Sequence, residues 1–178
     1  PPPAGAGDID WPAPQRLPLP PLLNYGYEGT VVLPVPVTIS DPIAGDALHV
    51  ELRADWLVCK VECIPQSGTF ELDVPTARPT LAHATEFERA LSARPVDLPA
   101  ARAVGVVIDG ALQFEVRGLP AEVRGRDALV FPELPGVVEN AAPVSQQWMD
   151  GVWEGRWPLS TQRSESPIQL PMVLGFGS

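Results

Sequence analysis

Prolines and glycines are spread along the whole chain, and they limit the regular structure that it can form. There are 23 prolines and 15 glycines among 178 residues. Proline fixes the backbone φ angle and has no N–H to donate, so it interrupts helices and central strands. Apolar residues still make up 45% of the chain, which is more than a disordered protein contains. Short apolar runs separated by Pro and Gly therefore predict an all-β fold of the β-sandwich class.

The charge of the chain argues against two classes of partner. The formal net charge at neutral pH is −10, and the basic residues form no cluster in the sequence. Because an acidic surface repels phosphate groups, binding to nucleic acid or to anionic lipid is disfavoured. The sequence also contains no run of 18 apolar residues, which predicts that this chain does not insert into a membrane.

Composition divides the sequence into three predicted segments. Residues 1–22 are proline-rich and extended: "PPPAGAG" is typical of a flexible spacer, and "WPAPQRLPLPPLL" of a segment that lies over a surface rather than within a sheet. Residues 23–98 are predicted to form a first β-module. Residues 99–178 form a second β-sandwich module, and one short helix lies between the two sets of strands.

Three runs predict the strands of the first module. "YEGTVVLPVPVTI" is rich in β-branched residues, but Pro34 and Pro36 cannot donate to a ladder, which predicts an edge or bulged strand. "LHVELRADWLV" and "SGTFELDVP" alternate apolar and polar residues, so an antiparallel meander is expected with the cysteines at one connection. "PTLAHATEFERALSARP" predicts the helix, near residues 80–93, with Thr80 as its N-cap.

The second module has its own turn signals. Asp109-Gly110 and Asp150-Gly151 each separate two apolar runs, and Asp-Gly is a strong signal for a tight β-hairpin. Trp148, Trp153 and Trp157 lie close together in this half of the chain. They could form an aromatic platform for a partner or a sugar, but packing in the sandwich is favoured.

Both cysteines of the chain lie in "WLVCKVECIP", as Cys59 and Cys63. Four extended Cα steps would separate them by about 13 Å, whereas a disulfide needs about 5.5 Å between Cα atoms. The segment must therefore turn, and strand-like sequence on both sides favours a three-residue hairpin connection over a helical turn. Because the chain has no other thiol, the two cysteines are expected to bond to each other when oxidised.

Three functions for this pair remain open from the residues alone. A structural staple is poorly placed, because closing so small a loop stabilises a protein by only about 2 kcal/mol. A zinc site would need two further ligands, and only His49 and His83 are available, although a two-thiolate copper(I) site is possible. A redox pair fits a short loop that exposes its sulfurs to a partner.

The charges beside the cysteines act in opposite directions. Lys60, the only lysine in the chain, is adjacent to Cys59 and favours its thiolate, whereas Glu62 is adjacent to Cys63 and disfavours the thiolate there. Both are candidate tuning residues for the pair.

The segments "WPAPQR", "GYEG", "DPIAGDA", "WLVCKVECIP" and "FELDVP" resemble, in this order, the periplasmic N-terminal domain of DsbD-type disulfide reductases, in particular the ScsB-like branch. The resemblance covers about residues 10–95, and the second half of the chain fits the additional β-domain of that branch more loosely. It implies an immunoglobulin-like sandwich in the periplasm, as the soluble domain of an inner-membrane protein.

The resemblance also implies a function and residue roles. The domain would receive electrons from the membrane reductase domain and a thioredoxin-like domain of the same full-length protein, and would pass them to periplasmic thiol proteins without a cofactor. By position, Cys63 matches the cysteine that forms mixed disulfides and Cys59 the one that resolves them. Tyr25 and Tyr27 are candidates for shielding the pair, with packing in the sandwich as the alternative. A non-catalytic interaction module with a local disulfide, and a periplasmic copper-binding protein, are the rival functions.

Overall fold

The structure is a computed structural model. It describes residues 4–40, 45–60, 62–78, 81–164 and 166–177. Within these residues the chain consists mainly of β-strands and contains one short α-helix, which confirms the all-β prediction.

The chain divides into two compact units. Unit 1 contains residues 1–12 and 30–94, and unit 2 contains residues 13–29 and 95–178. This division differs from the three predicted segments because residues 13–29 group with the second half of the chain. The predicted domain boundaries themselves stay a prediction.

In its described residues, unit 1 contains four strands and the helix. They are β1 (Ala4–Ala6), β4 (Val37–Ile39), β5 (Ala47–Cys59), β6 (Cys63–Pro75) and α1 (Ala84–Ser92). Strands β1 and β4 pair antiparallel, and so do β5 and β6. The predicted helix is confirmed, and it begins after His83, which has a φ of 61°. The N-cap predicted at Thr80 lies outside the described residues.

One expectation for unit 1 is wrong, and another is confirmed only in part. Residues 4–6, predicted as flexible spacer, form β1, because their backbone pairs with β4. The edge strand predicted for residues 27–39 forms only at β4, and residues 27–36 form no strand. Pro34 and Pro36 have no N–H, so they contribute only carbonyl oxygens. Pro36 accepts a hydrogen bond from Gly7 N at 2.8 Å, and Pro34 accepts one from Asp10 N at 2.8 Å.

Unit 2 contains eight strands and a 3₁₀ turn in the described residues. They are β2 (Gln15–Leu19), β3 (Leu22–Gly26), β7 (Arg102–Ile108), β8 (Ala111–Arg117), the 3₁₀ turn (Ala121–Val123), β9 (Ala128–Pro132), β10 (Ser145–Met149), β11 (Val152–Pro158) and β12 (Met172–Phe176). Strands β10, β11, β8 and β7 form a sheet in that order, and β9 pairs with β12.

The segment around Arg16 was expected to lie outside any sheet, and this expectation is wrong. Strands β2 and β3 form a hairpin, and Pro20 and Pro21 make its two-residue turn. Proline content argued against a strand, but Pro18 is tolerated because a two-stranded sheet has only edge strands.

The three tryptophans that lie close together in the sequence belong to the core of unit 2. Trp153 and Trp157 are fully buried and pack with apolar residues of β8 and β9, and Trp148 packs against this cluster half-buried. Each indole N–H donates a hydrogen bond, for example from Trp157 to the carbonyl of Glu139 at 2.9 Å. The packing interpretation of the three tryptophans is therefore confirmed.

Both Asp-Gly hairpins are present. Asp109 and Asp150 have φ angles of 49° and 51°, and the glycines that follow have 69° and 78°. Two consecutive residues with positive φ match the right-handed twist of the flanking strands, which explains the preference for Asp-Gly at these turns. In the described part of the chain, no helix has the length and apolar character to span a membrane.

Candidate functional site

The two cysteines lie at the tip of the long hairpin of unit 1. Strand β5 ends at Cys59 and β6 begins at Cys63, so the predicted hairpin connection is confirmed. The two residues form the last cross-strand pair of the ladder, with their Cα atoms 4.1 Å apart, and the expected disulfide joins them. The backbone N–H of Lys60 donates to the carbonyl of Glu62 at 3.2 Å and helps to close the turn. Both cysteines are exposed.

The register of the ladder explains how β6 accommodates its two prolines. A short Cα–Cα distance is typical of a non-hydrogen-bonded pair, and such pairs alternate with hydrogen-bonded ones along an antiparallel ladder. Pro65 and Pro75 lie two and twelve positions after Cys63, so both fall at non-hydrogen-bonded positions of the unbroken register. Their missing N–H groups therefore remove no bond to β5. This is why a segment with two prolines pairs along its whole length.

The same register gives the hairpin two different faces. Residues directly opposite each other in an antiparallel pair project to the same side, and the side alternates at each step. The face with Cys59 and Cys63 is called here the sulfur-bearing face. Its other members are Ala47, His49, Glu51, Arg53, Asp55, Leu57, Pro65, Ser67, Thr69, Glu71, Asp73 and Pro75.

The opposite face is mainly apolar. It contains Leu48, Val50, Leu52, Ala54, Trp56, Val58, Ile64, Gln66, Gly68, Phe70, Leu72 and Val74. Trp56 donates its indole N–H to Gln66 Oε1 at 3.1 Å, across the ladder. A Cβ atom on Gly68 would lie 2.9 Å from the ring of Phe70 and 3.4 Å from that of Trp56. The glycine thus leaves room for two aromatic rings on this face.

The two charged candidate residues lie beside the disulfide, as their positions in the sequence predict. Lys60 and Glu62 both lie in the connection, and both are exposed. The hairpin tip therefore carries one cation and one carboxylate beside the disulfide. Lys60 is adjacent to Cys59, and Glu62 is adjacent to Cys63. Val61, between them, lies outside the described residues. Tuning of the thiols by these two charges stays a prediction.

The two candidate shielding residues belong to unit 2. Tyr25 lies on β3, and its ring packs edge-on against Phe131 of β9, with ring centroids 5.4 Å apart. Burial raises the pKa of Tyr25, and the nearby Arg16 guanidinium partly offsets this. Burial also raises the pKa of Tyr27, which follows β3. Tyr25 therefore packs within its own unit, and a shielding role for either tyrosine stays a prediction.

The two histidines occupy different kinds of position. His49 lies on the sulfur-bearing face with its Nδ1 2.8 Å from Asp73 Oδ1, and this hydrogen bond raises the pKa of His49. His83 immediately precedes helix α1. Among the residues that the structure describes, no three His, Cys, Asp or Glu side chains are grouped in a way that could hold a metal ion.

Sequence reasoning missed the residues that lie next to the disulfide along the hairpin. A hollow of about 330 Å³ lies along the ladder below the cysteines, lined by Asp55, Trp56, Leu57, Pro65, Gln66 and Ser67. The register of the two strands would have identified these lining residues from the sequence. Once Cys59 and Cys63 are taken as directly opposite, counting back along both strands pairs each of these residues with its neighbour.

With this geometry described, the chain can be compared with known proteins. Residues 1–75 match the family described as the N-terminal part of the thiol:disulfide interchange protein DsbD. No curated protein sequence matches the chain significantly. Among solved structures, the chain is similar to the crystal structure of the N-terminal periplasmic domain of ScsB from Proteus mirabilis. That similarity has a TM-score of 0.66 and 14% sequence identity, and it covers 97% of this chain and 71% of that one.

The family match includes the whole hairpin, from β5 through the disulfide to the end of β6. The match and the Cys59–Cys63 bond together support a thiol–disulfide exchange domain. The similarity to ScsB, at its low identity, extends the agreement in fold to nearly the whole chain. Residues 1–75 therefore match the N-terminal family of DsbD-type thiol:disulfide interchange proteins, which confirms the resemblance seen in the sequence, and the chain has the immunoglobulin-like fold of the ScsB periplasmic domain.

Proposed function

We propose that this chain is a periplasmic protein-disulfide reductase domain that relays electrons through Cys59 and Cys63. In this proposal a membrane reductase domain and a thioredoxin-like domain of the same full-length protein supply the electrons, and periplasmic thiol proteins receive them. The observation that carries the proposal is an exposed disulfide at a hairpin tip, inside the region that matches the DsbD N-terminal family.

The reaction needs only the two cysteines. The thiolate of Cys63 attacks one sulfur of a client disulfide, so that a mixed disulfide forms and the other client sulfur leaves as a thiolate and takes up a proton. The thiolate of Cys59 then attacks Cys63 Sγ. This step re-forms the Cys59–Cys63 bond and releases the second client thiol. Two electrons pass from the pair to the client, and the reverse exchange with the upstream domain restores the two thiols.

The ladder keeps the resolving thiol in place. Twelve further cross-strand pairs connect β5 and β6 below the cysteines, so the two sulfurs stay adjacent when their bond is broken. Holding two reacting groups in position makes the resolving step effectively unimolecular, with a high effective concentration. A mixed disulfide on Cys63 is therefore expected to resolve quickly.

The same ladder argues against a purely structural bond. A disulfide stabilises a protein mainly by restricting its unfolded chain, and a loop of five residues limits that effect to about 2 kcal/mol. The cross-strand hydrogen bonds already hold the ends of β5 and β6 together. A staple at the tip of such a hairpin would add little to what the ladder provides.

The order of attack follows the positions that match the family. Local charge points the other way, since Lys60 beside Cys59 favours a thiolate there and Glu62 beside Cys63 opposes one. Replacing each cysteine by alanine separates these alternatives. The probe is a thioredoxin that retains one cysteine, activated as its mixed disulfide with thionitrobenzoate.

Cys59→Ala, which retains Cys63, should accumulate a covalent complex with this thioredoxin, and Cys63→Ala should give little. If Cys63→Ala traps as well or better, the two roles are reversed. The matched control is the double variant, which should trap nothing.

The reduction potential tests the relay against its rivals. Equilibration of the chain with a thioredoxin of known potential should place the Cys59–Cys63 couple in the range of thioredoxin-like proteins, above about −300 mV. A couple well below that value, together with no trapping by either single variant, would identify a structural staple. Stoichiometric binding of copper(I) that is lost in either single variant would favour the copper-binding alternative.

A further inference from the structure

The sulfur-bearing face of the hairpin is open to solvent from its base to its tip. All fourteen residues that share it are exposed. The opposite face differs, because Leu48, Val50 and Val74 at its base are half-buried and the face is largely apolar. Farther along, this face is exposed as well, for example at Leu52, Phe70 and Leu72, but it does not bear the sulfurs. Because Cys59 and Cys63 project from the sulfur-bearing face, a protein that reacts with the disulfide must contact this face.

One apolar pair lies beside the sulfurs on this face. Leu57 and Pro65 form the next cross-strand pair on the same side, about 7 Å along the ladder from the cysteine pair. Leu57 is 64% exposed although it is a large apolar side chain. The pair after it on this side, Asp55 and Ser67, is polar. Near the tip, apolar side chains on this face are thus confined to the step directly beside the disulfide. Leu57 and Pro65 also line the hollow of about 330 Å³, to which Trp56 and Gln66 contribute from the opposite face.

Carboxylates outnumber cations over the rest of this face. Glu51 and Glu71 lie directly opposite each other, an arrangement of like charges that costs stability in an antiparallel pair. The two basic side chains both contact carboxylates: Arg53 Nε lies 3.4 Å from Glu51 Oε1, and His49 contacts Asp73. Counting Asp55 as well, the face carries four carboxylates against one arginine and one histidine. A partner with basic groups would relieve this excess.

We propose that redox partners dock on the sulfur-bearing face, with Leu57 and Pro65 as the apolar contact and the carboxylates selecting a basic partner. The partner class is a thiol protein whose reactive sulfur lies beside an apolar residue and is surrounded by Lys or Arg. This proposal rests on the proposed exchange function, since it describes how a partner reaches the same disulfide. Charge complementarity of this kind raises the rate of encounter more than it raises affinity.

Two synthetic peptides test the charge preference. Each contains one cysteine followed by leucine, activated as the mixed disulfide with thionitrobenzoate, and they differ only in flanking residues, lysine in one and glutamate in the other. The reduced chain attacks the peptide sulfur and releases the coloured thionitrobenzoate thiolate. Its second thiol then releases the peptide and re-forms Cys59–Cys63. The wild-type chain should react about tenfold faster with the basic peptide at low ionic strength. The ratio should fall toward one as salt screens the charges.

Charge variants assign this preference to the face. Asp55→Asn/Glu71→Gln should lower the basic-to-acidic rate ratio about threefold. Glu86→Gln/Glu88→Gln makes the same change in net charge on helix α1, outside the hairpin, and should leave the ratio near that of the wild type.

A second pair of variants assigns the apolar contact. Leu57→Ser should slow the reaction with both peptides about fivefold, because the contact with the peptide leucine is lost. Leu52→Ser is the matched control: it lies on the same strand and is 52% exposed, but on the opposite face. It should react at the wild-type rate.

Three results are decisive. Equal rates with the two peptides at low ionic strength, or equal effects of Leu57→Ser and Leu52→Ser, would overturn the docking proposal while leaving the exchange function intact. A wild-type chain that releases no thionitrobenzoate from either peptide would instead overturn the exchange function itself. Circular dichroism of each variant checks that the fold is retained, as expected for substitutions of exposed side chains.

Discussion

The ring of Phe114 lies against the backbone of Gly155, its cross-strand partner in the sheet of unit 2. A Cβ atom on Gly155 would come within 2.5 Å of Phe114 Cζ. Phe114 is only 5% exposed, and its ring centroid is 5.3 Å from that of the fully buried Trp153. The absence of a side chain at position 155 therefore provides the space that the ring occupies in this core.

Gly155→Ala is expected to destabilise unit 2. The added methyl group must displace a ring that is enclosed by Trp153 and other core residues, and overpacking of this kind costs about 1–3 kcal/mol. Urea unfolding followed by tryptophan fluorescence measures the effect, since Trp153 and Trp157 both lie in this core.

Gly68→Ala serves as the matched control for this substitution. A Cβ there would lie 2.9 Å from Phe70 Cζ, a similar contact between a strand glycine and an aromatic ring. Phe70, however, is 54% exposed, so its ring can move into solvent. The loss should be about 0.5 kcal/mol or less, within the range of ordinary surface substitutions. Equal losses for the two variants would contradict the account of Gly155.

The local hairpins of this chain were predictable from sequence because their signals are local. Asp109-Gly110 gives the turn between β7 and β8, and the alternation before Cys59 and after Cys63 gives the long hairpin. The pairing of β1 with β4 was not predictable in the same way. It joins segments far apart along the chain, and neither contains more than three paired residues. No periodic pattern can be read from so short a strand.

The prediction from proline content failed where the pairing partner of the strand was unknown. The proline content of residues 11–23 predicts an irregular segment, yet it does not say whether each missing N–H faces a partner strand or solvent. In β6, Pro65 and Pro75 lie an even number of residues after Cys63, so their missing N–H groups point away from β5 and the strand can pair. For the candidate site, the sequence identified the cysteines and their charged neighbours. It did not identify Leu57 and Pro65, since their position beside the sulfurs depends on the register.

His49 should titrate at a higher pH than an ordinary histidine. The hydrogen bond and the charge of Asp73 favour its protonated form and raise its pKa above 6.5. Asp73→Asn should lower the pKa of His49 toward 6.5, measured from its ring proton resonances as a function of pH. Glu71→Gln should lower it less, because Glu71 is a smaller cause of the shift.

The sign of the stability effect follows from the direction of this shift. Because the folded-state pKa is raised, the contact with Asp73 stabilises the fold fully below the unfolded pKa of about 6.5. The stabilisation is lost as the pH rises through the folded-state pKa of His49. The difference in unfolding free energy between wild type and Asp73→Asn should therefore shrink on going from mildly acidic to mildly alkaline pH. A difference that grows with pH would contradict the pairing of His49 with Asp73.

Removal of the disulfide is expected to abolish exchange and to leave the hairpin formed. Cys59→Ala/Cys63→Ala loses the only thiols of the chain, but the twelve cross-strand pairs below them remain. Its unfolding free energy should fall by no more than about 2 kcal/mol relative to the oxidised chain, because the bond closes only a short loop. The wild-type chain in reductant is the matched control and should unfold at the same urea concentration as the double variant.

The indole N–H of Trp56, which donates to Gln66 across the ladder, reports the hairpin directly in an NMR spectrum. Loss of that resonance in the double variant, with a much larger loss of stability, would show that the bond holds the hairpin together and would favour the staple over the relay.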